Sequence, residues 1–135
     1  MKMSLLGKLL AGAVALSVVL FAGCKSAPTF EVTAAPIPAP AGKTLTMDEV
    51  QKAIVRGIGR AGWQTLPDAP GRVSARYQSG KHSATVGIDY DTKAYNIKMR
   101  ETSVMRSDGS VHPSYNTWVQ NLDRAIRVEL ASIGQ

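Results

Sequence analysis

Apolar residues recur at the spacing of an α-helix in two segments of the chain. In the first, apolar or small residues follow one another every three or four positions from Val50 to Ala61. Thr46 and Glu49, just before this stretch, match a capping box, in which each side chain accepts a hydrogen bond from the backbone N–H of the other residue. Gly62 can end the helix, because glycine adopts the left-handed backbone conformation at low cost. The pattern predicts a first helix that begins directly after Thr46.

The second helical pattern lies near the carboxyl end, from about Ser114 to Ile133. Pro113 suits the first turn of a helix, and Gly134 suits its end. The apolar residues of this segment form a single broad stripe: Tyr115, Trp118, Val119, Leu122, Ala125, Ile126, Leu130 and Ile133. A stripe of this kind is typical of a helix that buries one face, so we expect this helix to pack on the core.

Strand-like alternation occupies the region between the two helices. Three segments place apolar residues at every second position, over Val73–Tyr77, Ala84–Tyr90 and Tyr95–Met99. A four-residue loop over Asp91–Ala94 and a longer loop through Gly80 pair their inner apolar residues so that these side chains fall on one face. Trp63–Leu66 has the character of a further short strand. The segments predict an antiparallel meander.

These elements predict an α+β domain over residues 44–135. We expect two layers, in which an antiparallel sheet of three to four strands carries an N-terminal and a C-terminal helix packed on one face, in the order α-β-β-β-β-α. The length of the chain permits one small domain and a modest core.

The amino terminus has the layout of a secretory signal peptide. Lys2 and Lys8 precede an apolar run from Leu9 to Phe21, and the small residues Ala22 and Gly23 follow it. A membrane-spanning helix needs roughly 20 predominantly apolar residues, and this run is shorter. We therefore expect residues 1–23 to be a signal peptide.

The five residues Leu20-Phe21-Ala22-Gly23-Cys24 resemble the lipobox of bacterial lipoproteins. The resemblance implies that Cys24 becomes the first residue of the mature chain and carries lipid, including palmitate, and several acyl chains are enough for stable anchoring. Lys25 stands where an aspartate retains enterobacterial lipoproteins in the inner membrane. The resemblance therefore implies an outer-membrane location that faces the periplasm. The alternative is an ordinary cleaved signal peptide followed by an unmodified cysteine.

A segment rich in proline and alanine follows Cys24. Its prolines, Pro28, Pro36, Pro38 and Pro40, favour extended backbone, which rises about 3.1 Å per residue. We interpret residues 24–43 as a tether that holds the domain away from the membrane. The alternative is that Thr29–Thr33, in which two apolar residues alternate with polar ones, adds a short edge strand.

Composition narrows the classes of chemistry that the chain could perform. The formal charge of +6 falls to about +4 once Lys2 and Lys8 leave with the signal peptide. A single cysteine excludes an intrachain disulfide. With two isolated histidines, His82 and His112, and scattered acids, we expect no metal site, no cofactor and no catalytic residues. We also expect no nucleic-acid partner. The glycines of Gly57–Gly62 resemble a nucleotide-binding loop by spacing, but they lie in a predicted helix rather than after a strand.

The polar face of the predicted sheet gathers basic side chains. The register predicts one row of Arg76, Thr85 and Arg100, a second row with Lys98 and a third with Arg72. Arginine and lysine at such positions suit phosphate or carboxylate groups. The alternative is an ordinary solvated sheet face.

Three polar residues around the second helix are further candidates for binding. Asn116 and Asn121 flank its apolar stripe, where they could bond to the ends of strands or to a partner, and His112 precedes the helix and could cap it or bond to the loop before it. The stretch Tyr115–Leu122 is the most specific part of a resemblance to a family of small uncharacterised proteobacterial lipoproteins. That resemblance implies fold and location but no activity.

The sequence leads to two functional hypotheses. The first is an outer-membrane-anchored, non-enzymatic lipoprotein whose domain serves as an interaction or envelope-assembly module for another envelope protein. The second is a binder of anionic envelope glycans, lipopolysaccharide or peptidoglycan, through Arg72, Arg76, Lys98 and Arg100. A hydrolase is a third, less favoured reading, since it would need titratable groups that converge in a pocket.

Overall fold

The computed structural model describes residues 26–135, so the predicted signal peptide and Cys24 lie outside the described residues. Within this range the chain forms five strands and two helices: β1 (Val32–Pro36), α1 (Met47–Arg60), β2 (Gln64–Ala69), β3 (Arg72–Ser79), β4 (His82–Tyr90), β5 (Ala94–Thr102) and α2 (Pro113–Ala131). None of the helices in residues 26–135 is long and apolar enough to cross a bilayer.

The described strands form one antiparallel sheet in the order β1-β5-β4-β3-β2. The predicted α+β class, with an antiparallel sheet and two helices, is confirmed. The predicted number of three to four strands is wrong, because the described part of the chain contains a fifth strand, β1, which precedes α1.

Strand β1 lies in the segment that we predicted to be a tether. Val32 stands opposite Ile97 and Ala35 opposite Tyr95, with an irregularity in the register between them. At this irregularity Ala34 has φ +49°, and its backbone N–H donates to Asn96 Oδ1 at 2.6 Å. The extra residue of this bulge turns both Val32 and Ala35 towards the core.

The domain therefore begins upstream of residue 44. Ile37, just after β1, is also buried, and its N–H donates to the carbonyl oxygen of Lys93 at 2.8 Å. The prediction of an extended tether over the whole of residues 24–43 is wrong, because apolar residues of this segment bury themselves against β5. The alternative of an edge strand was the better interpretation, although the strand lies three residues later than Thr29–Thr33.

Helix α1 begins as its sequence predicts. Thr46 and Glu49 form the capping box, with the Glu49 N–H donating to Thr46 Oγ1 at 3.2 Å and the Thr46 N–H donating to Glu49 Oε1 at 3.3 Å. Gly62 has φ +80°, as expected after the end of the helix. Gly57 faces α2 so closely that a Cβ there would lie 2.7 Å from the Cα of Ile126. The two helices thus pack against each other without an intervening side chain at this point.

The register of the central hairpins agrees with the sequence over most of its length. Tyr90 pairs with Tyr95 and Ala75 with Val86, as predicted. The register shifts between Val86 and Thr85, so that Thr85 stands opposite Glu101. The predicted row that joined Thr85 to Arg100 is therefore wrong, because the bulge in β5 makes Arg100 an extra residue.

One hydrophobic core joins the apolar face of the sheet to both helices. The buried strand residues come from β1, β3, β4 and β5, and they share this core with the apolar stripes of α1 and α2. At its border Tyr77 stacks between Trp63 and Trp118, with ring centroids 5.3 and 5.2 Å apart. The opposite face of the sheet carries the polar side chains and is the surface on which the sequence placed its basic candidates.

Candidate functional site

The uncovered face of the sheet pairs Arg72 with a carboxylate. Arg72 Nε donates to Asp89 Oδ1 in the neighbouring strand, directly across the ladder. This hydrogen bond, and then the charge of Asp89, raise the pKa of Arg72 above its ordinary value. The positive charge of Arg72 is therefore neutralised by the carboxylate of Asp89.

Arg100 is held by a second acidic partner. Its Nη2 lies 2.9 Å from Asp68 Oδ2, and its Nη1 donates to Ser74 Oγ at 2.8 Å. The guanidinium crosses Gly87, where a Cβ would lie 2.7 Å from Arg100 Nε. Asp68 is itself the extra residue of a register shift in β2. Arg100 and Asp68, each the extra residue of a register shift, thus form an ion pair above Gly87. Period-two alternation predicts neither of these extra residues.

Lys98 is bound by residues around β1. Its Nζ lies 2.9 Å from Glu31 Oε2 and donates to Thr33 Oγ1, also at 2.9 Å. Because we predicted Glu31 and Thr33 to belong to a tether, neither contact was expected. Three of the four predicted basic residues are thus paired with carboxylates on the same face.

Arg76 differs from the other three cations. Among residues 26–135 it has no carboxylate within ion-pair distance. It lies at an open, polar concavity of about 210 Å³, which is also lined by Gly62, Gln64 and Gln78. Of the predicted basic surface, this is the position that remains free to meet an anion.

The candidates on and before α2 have local structural roles. His112 caps the helix: its Nδ1 accepts from the N–H of Ser114 at 3.1 Å. Asn116 binds the amino-terminal segment, since its Oδ1 accepts from the N–H of Phe30 at 2.8 Å and its Nδ2 donates to the carbonyl of Pro28 at 2.9 Å. Asn121 lies on the exposed flank of α2 and accepts from Arg124 at 3.2 Å.

Sequence reasoning missed a buried polar group that joins α2 to β5. Asp123 is 9% exposed. One of its carboxylate oxygens accepts from the Tyr95 hydroxyl, and the other accepts from Arg127 Nε at 2.9 Å. Arg127 also lies over the Tyr95 ring, 5.9 Å from its centroid. The signal in the sequence was an acid next to Leu122 in the apolar stripe, with an arginine four positions later.

The Tyr95–Asp123–Arg127 group has the chemistry of a structural link. Burial, followed by the hydrogen bond to Asp123, raises the pKa of Tyr95 above its ordinary value, so the phenol stays protonated and continues to donate. Both carboxylate oxygens of Asp123 have donors, which offsets the cost of burying the charge. Beside it, Pro36, Pro38 and the last turns of α2 line an apolar groove of about 380 Å³.

The two histidines line one cavity, although they are 30 positions apart and no pattern in the sequence predicts that they are close. The cavity has a volume of about 300 Å³ and is lined by His82, Ser103, Val104, Met105, Arg106, His112 and Ser114. Within residues 26–135 no group of three or more His, Cys, Asp or Glu side chains comes close enough to bind a metal ion. The Nδ1 atom of His112 is already used in the cap of α2.

A small ladder at this end of the domain fixes the amino-terminal segment. Ala27 pairs with Val111 through two backbone hydrogen bonds, of 2.8 and 3.0 Å, and Val111 is bridged in turn to Met105. Cys24 precedes Ala27 by three residues. Ala27, three residues after the predicted lipidation site, is therefore held on the domain, and its partner Val111 is bridged to Met105, which lines the cavity of the two histidines.

Comparison of the chain with the known protein families, with curated proteins and with solved structures finds no match. The resemblance of Leu20–Cys24 to a lipobox, and of Tyr115–Leu122 to a family of small lipoproteins, stays a prediction from the sequence.

Proposed function

We propose that the protein is a lipid-anchored component of a bacterial envelope, held in the outer membrane through Cys24, and that its small α+β domain is a non-enzymatic binding module. The observation that carries this proposal is the position of Cys24, three residues before Ala27, which is paired with Val111 of the folded domain. A lipid on that cysteine would hold a folded body at a membrane surface. Three of the four basic candidates, Arg72, Lys98 and Arg100, are held in ion pairs on the surface of the domain.

The anchoring is tested on the mature protein. We expect mass spectrometry of the envelope fraction to find a chain that begins at Cys24 with acyl chains attached, and radiolabelled palmitate to enter the protein. Cys24→Ser is the control, because serine cannot form the thioether and the label should be lost. A mature chain with a free thiol at Cys24 contradicts the proposal.

The partner of such a module would meet the exposed flank of α2 more readily than a sheet edge. Both edge strands are interrupted: β1 carries a bulge and Pro36, and β2 carries Pro67 and a register shift. Proline and bulges hinder the addition of another strand. The flank of α2 is regular and presents Val128, 49% exposed, one turn after Arg124.

This partner surface is tested by crosslinking in the native membrane. A photoreactive residue at Asn121 or at Val128 should give one specific protein adduct. The matched control is Gln51, on the exposed face of α1. No adduct from either α2 position, or the same adducts from Gln51, contradicts a partner surface on α2.

The second candidate, a binder of anionic glycans, is favoured by one observation, the unpaired Arg76 beside Gln64 and Gln78. Arginine offers paired donors to a carboxylate or phosphate. Arg76→Gln should weaken salt-sensitive binding to purified peptidoglycan or lipopolysaccharide several-fold. Lys93→Gln, in the β4–β5 hairpin away from this concavity, is the charge-matched control. Equal binding by the wild-type protein and Arg76→Gln contradicts this candidate.

A further inference from the structure

The pairing of Ala27 with the domain limits the distance between the domain and a lipid on Cys24. A tether over residues 24–43 would have allowed a separation of about 60 Å at the rise of extended backbone. With Ala27 paired to Val111, three residues remain, and they span at most about 11 Å. An acylated Cys24 therefore brings the Val111 end of the domain to the bilayer.

We propose that this end of the domain is a docking surface for the bilayer, and that it binds the headgroups of anionic glycerophospholipids through Lys81, His82, Met105, Arg106 and His112. We call these five residues the lipid-facing surface. The inference rests on the proposed lipid anchor and adds the orientation of the domain and the chemistry of its contact.

The residues of the lipid-facing surface converge from three elements. Lys81 and His82 lie at the turn into β4 and its start, Met105 and Arg106 lie in the loop after β5, and His112 caps α2. The loop is fixed to the start of β4, because the Ser83 N–H donates to Ser103 Oγ and the Ser103 N–H donates to the Ser83 carbonyl, at 2.8 and 3.0 Å. His82, Met105, Arg106 and His112 line the cavity of about 300 Å³, and Met105 is bridged to Val111, the partner of Ala27.

The chemistry of this surface fits phosphate groups above an apolar layer. Lys81 and Arg106 are cationic and exposed, and the hydroxyl groups of Ser103 and Ser114 line the same cavity. The acid of this loop, Asp108, accepts from the N–H and the hydroxyl of Ser110, at 2.9 and 2.6 Å, and its charge also interacts with that of Arg106. The apolar side chain of Met105 is 46% exposed, although its bridge partner, Val111, is buried. A basic surface with one exposed apolar side chain is suited to an anionic interface.

The opposite end of the sheet provides an internal reference. Strand β4 has nine residues, so its start at His82 and its end at Tyr90 lie about 26 Å apart. The β4–β5 hairpin beyond Tyr90 carries Thr92 and Lys93. Lys81 and Lys93 are thus two exposed lysines in turns at opposite ends of the same strand.

The test uses the acylated mature protein in vesicles of phosphatidylcholine with phosphatidylglycerol. Because acylation occupies Cys24, a fluorophore on Ser107→Cys reports the proposed membrane side, and one on Thr92→Cys reports the far side. A quencher attached to lipid headgroups should reduce the Ser107→Cys signal several-fold more than the Thr92→Cys signal. Equal quenching at the two positions, or stronger quenching at Thr92→Cys, overturns the proposed orientation.

A second arm tests the charge. In the Ser107→Cys background, Lys81→Glu should shift the equilibrium away from the docked state by about fivefold or more in the anionic vesicles. Lys93→Glu should leave the quenching unchanged. If Lys81→Glu has no more effect than Lys93→Glu, the binding of anionic headgroups is overturned. The mass of Cys24 is measured on the same sample: a chain without acyl groups overturns the anchor, and the orientation with it, whereas an acylated chain with equal quenching overturns the orientation alone.

Discussion

Two buried tyrosines differ in whether their hydroxyl group has a hydrogen-bond partner. The Tyr95 hydroxyl donates to Asp123. The hydroxyl of Tyr115, which is fully buried, has no hydrogen-bond partner among the residues that the structure describes. Burial, and then the charge of Glu31, raise the pKa of Tyr115 above its ordinary value, so this hydroxyl stays neutral. A buried donor without a partner costs free energy.

We expect Tyr115→Phe to leave the protein as stable as the wild type or to stabilise it by up to about 1 kcal/mol, because the change removes an unsatisfied group. Tyr95→Phe should lower the free energy of unfolding by about 1–3 kcal/mol, because Asp123 then loses a donor while it stays buried. Urea denaturation of the two variants measures both values. A loss for Tyr115→Phe as large as that for Tyr95→Phe would show that the Tyr115 hydroxyl is bound after all.

Individual residues also mark the limit of prediction from the pattern. Alternation places Arg72 and Lys98 on the correct face, and the structure agrees. Alternation does not predict an extra residue, so the bulge at Arg100 and the acid at Asp68 that binds it were both missed. The ion pairs on this face depend on which strands are neighbours, and the segment that holds Lys98 was predicted to be a strand only as an alternative to a tether.

At the scale of elements, a single glycine allows α1 and α2 to approach each other closely. Gly57 has no room for a Cβ, which would lie within 3 Å of three atoms of Ile126, whereas a Cβ on Gly59 would have no neighbour within 4 Å. The two glycines belong to the same helix and differ mainly in the side that they face.

Gly57→Ala should lower the free energy of unfolding by about 1–3 kcal/mol, because the helices must move apart. Gly59→Ala should raise it by about 0.5–1 kcal/mol, because alanine is the better helix former. Thermal and urea unfolding of both variants provide the comparison. If the two substitutions changed stability in the same direction, the close packing at Gly57 would be wrong.

The two helices are also joined by charge at their exposed border. Arg56 and Arg60 donate to Glu129 at 3.0 and 2.9 Å, and these hydrogen bonds lower the pKa of Glu129 below its ordinary value of 4.5. The folded state therefore favours the ionised carboxylate. Its stabilisation is complete above pH 4.5 and is lost as the pH falls through the lowered pKa of the folded state.

We expect Glu129→Gln to be less stable than the wild type by up to about 1 kcal/mol near neutral pH, since both arginines are more than half exposed. The difference in stability should shrink as the pH is lowered from neutral through 4.5 and then through the lowered pKa of the folded state. Urea denaturation across this pH range measures the difference. A difference that does not depend on pH would remove the proposed role of the charge.

The elements that the sequence predicts well are those with a regular period. α1 carries a capping box, α2 carries a long apolar stripe, and β3 to β5 alternate over enough residues to set their register. β1 was predicted only as an alternative, and three residues too early, because its buried residues, Val32 and Ala35, are three positions apart, which matches neither a regular strand nor an isolated helix. Its place becomes clear only when the bulge at Ala34 and the contact with β5 are known.

For the whole molecule, the position of β1 decides where the domain starts. Val32, Ala35 and Ile37 are 6%, 5% and 7% exposed, and they cover Tyr95 and Ile97 of β5. Val32 and Ile37 each contribute about 1.5–3 kcal/mol of burial, a large part of the 5–15 kcal/mol by which small domains are stable. Residues 32–37 therefore supply part of the core, in addition to the connection to the membrane that we propose for this segment.

This dual role leads to a prediction that separates a tether from a strand. A chain that begins at residue 44 should lose cooperative unfolding, because β5 would become an exposed edge with Tyr95 and Ile97 uncovered. A chain that begins at residue 26 should unfold cooperatively, and it is the matched control because it lacks Cys24 and keeps β1. Thermal unfolding followed by near-ultraviolet circular dichroism distinguishes the two. If the chain from residue 44 were as stable as the chain from residue 26, β1 would be dispensable, and the domain would be free to stand away from the bilayer on the longer tether. Such a result would also remove the distance limit that brings the lipid-facing surface to the membrane, so this measurement tests the fold and the orientation together.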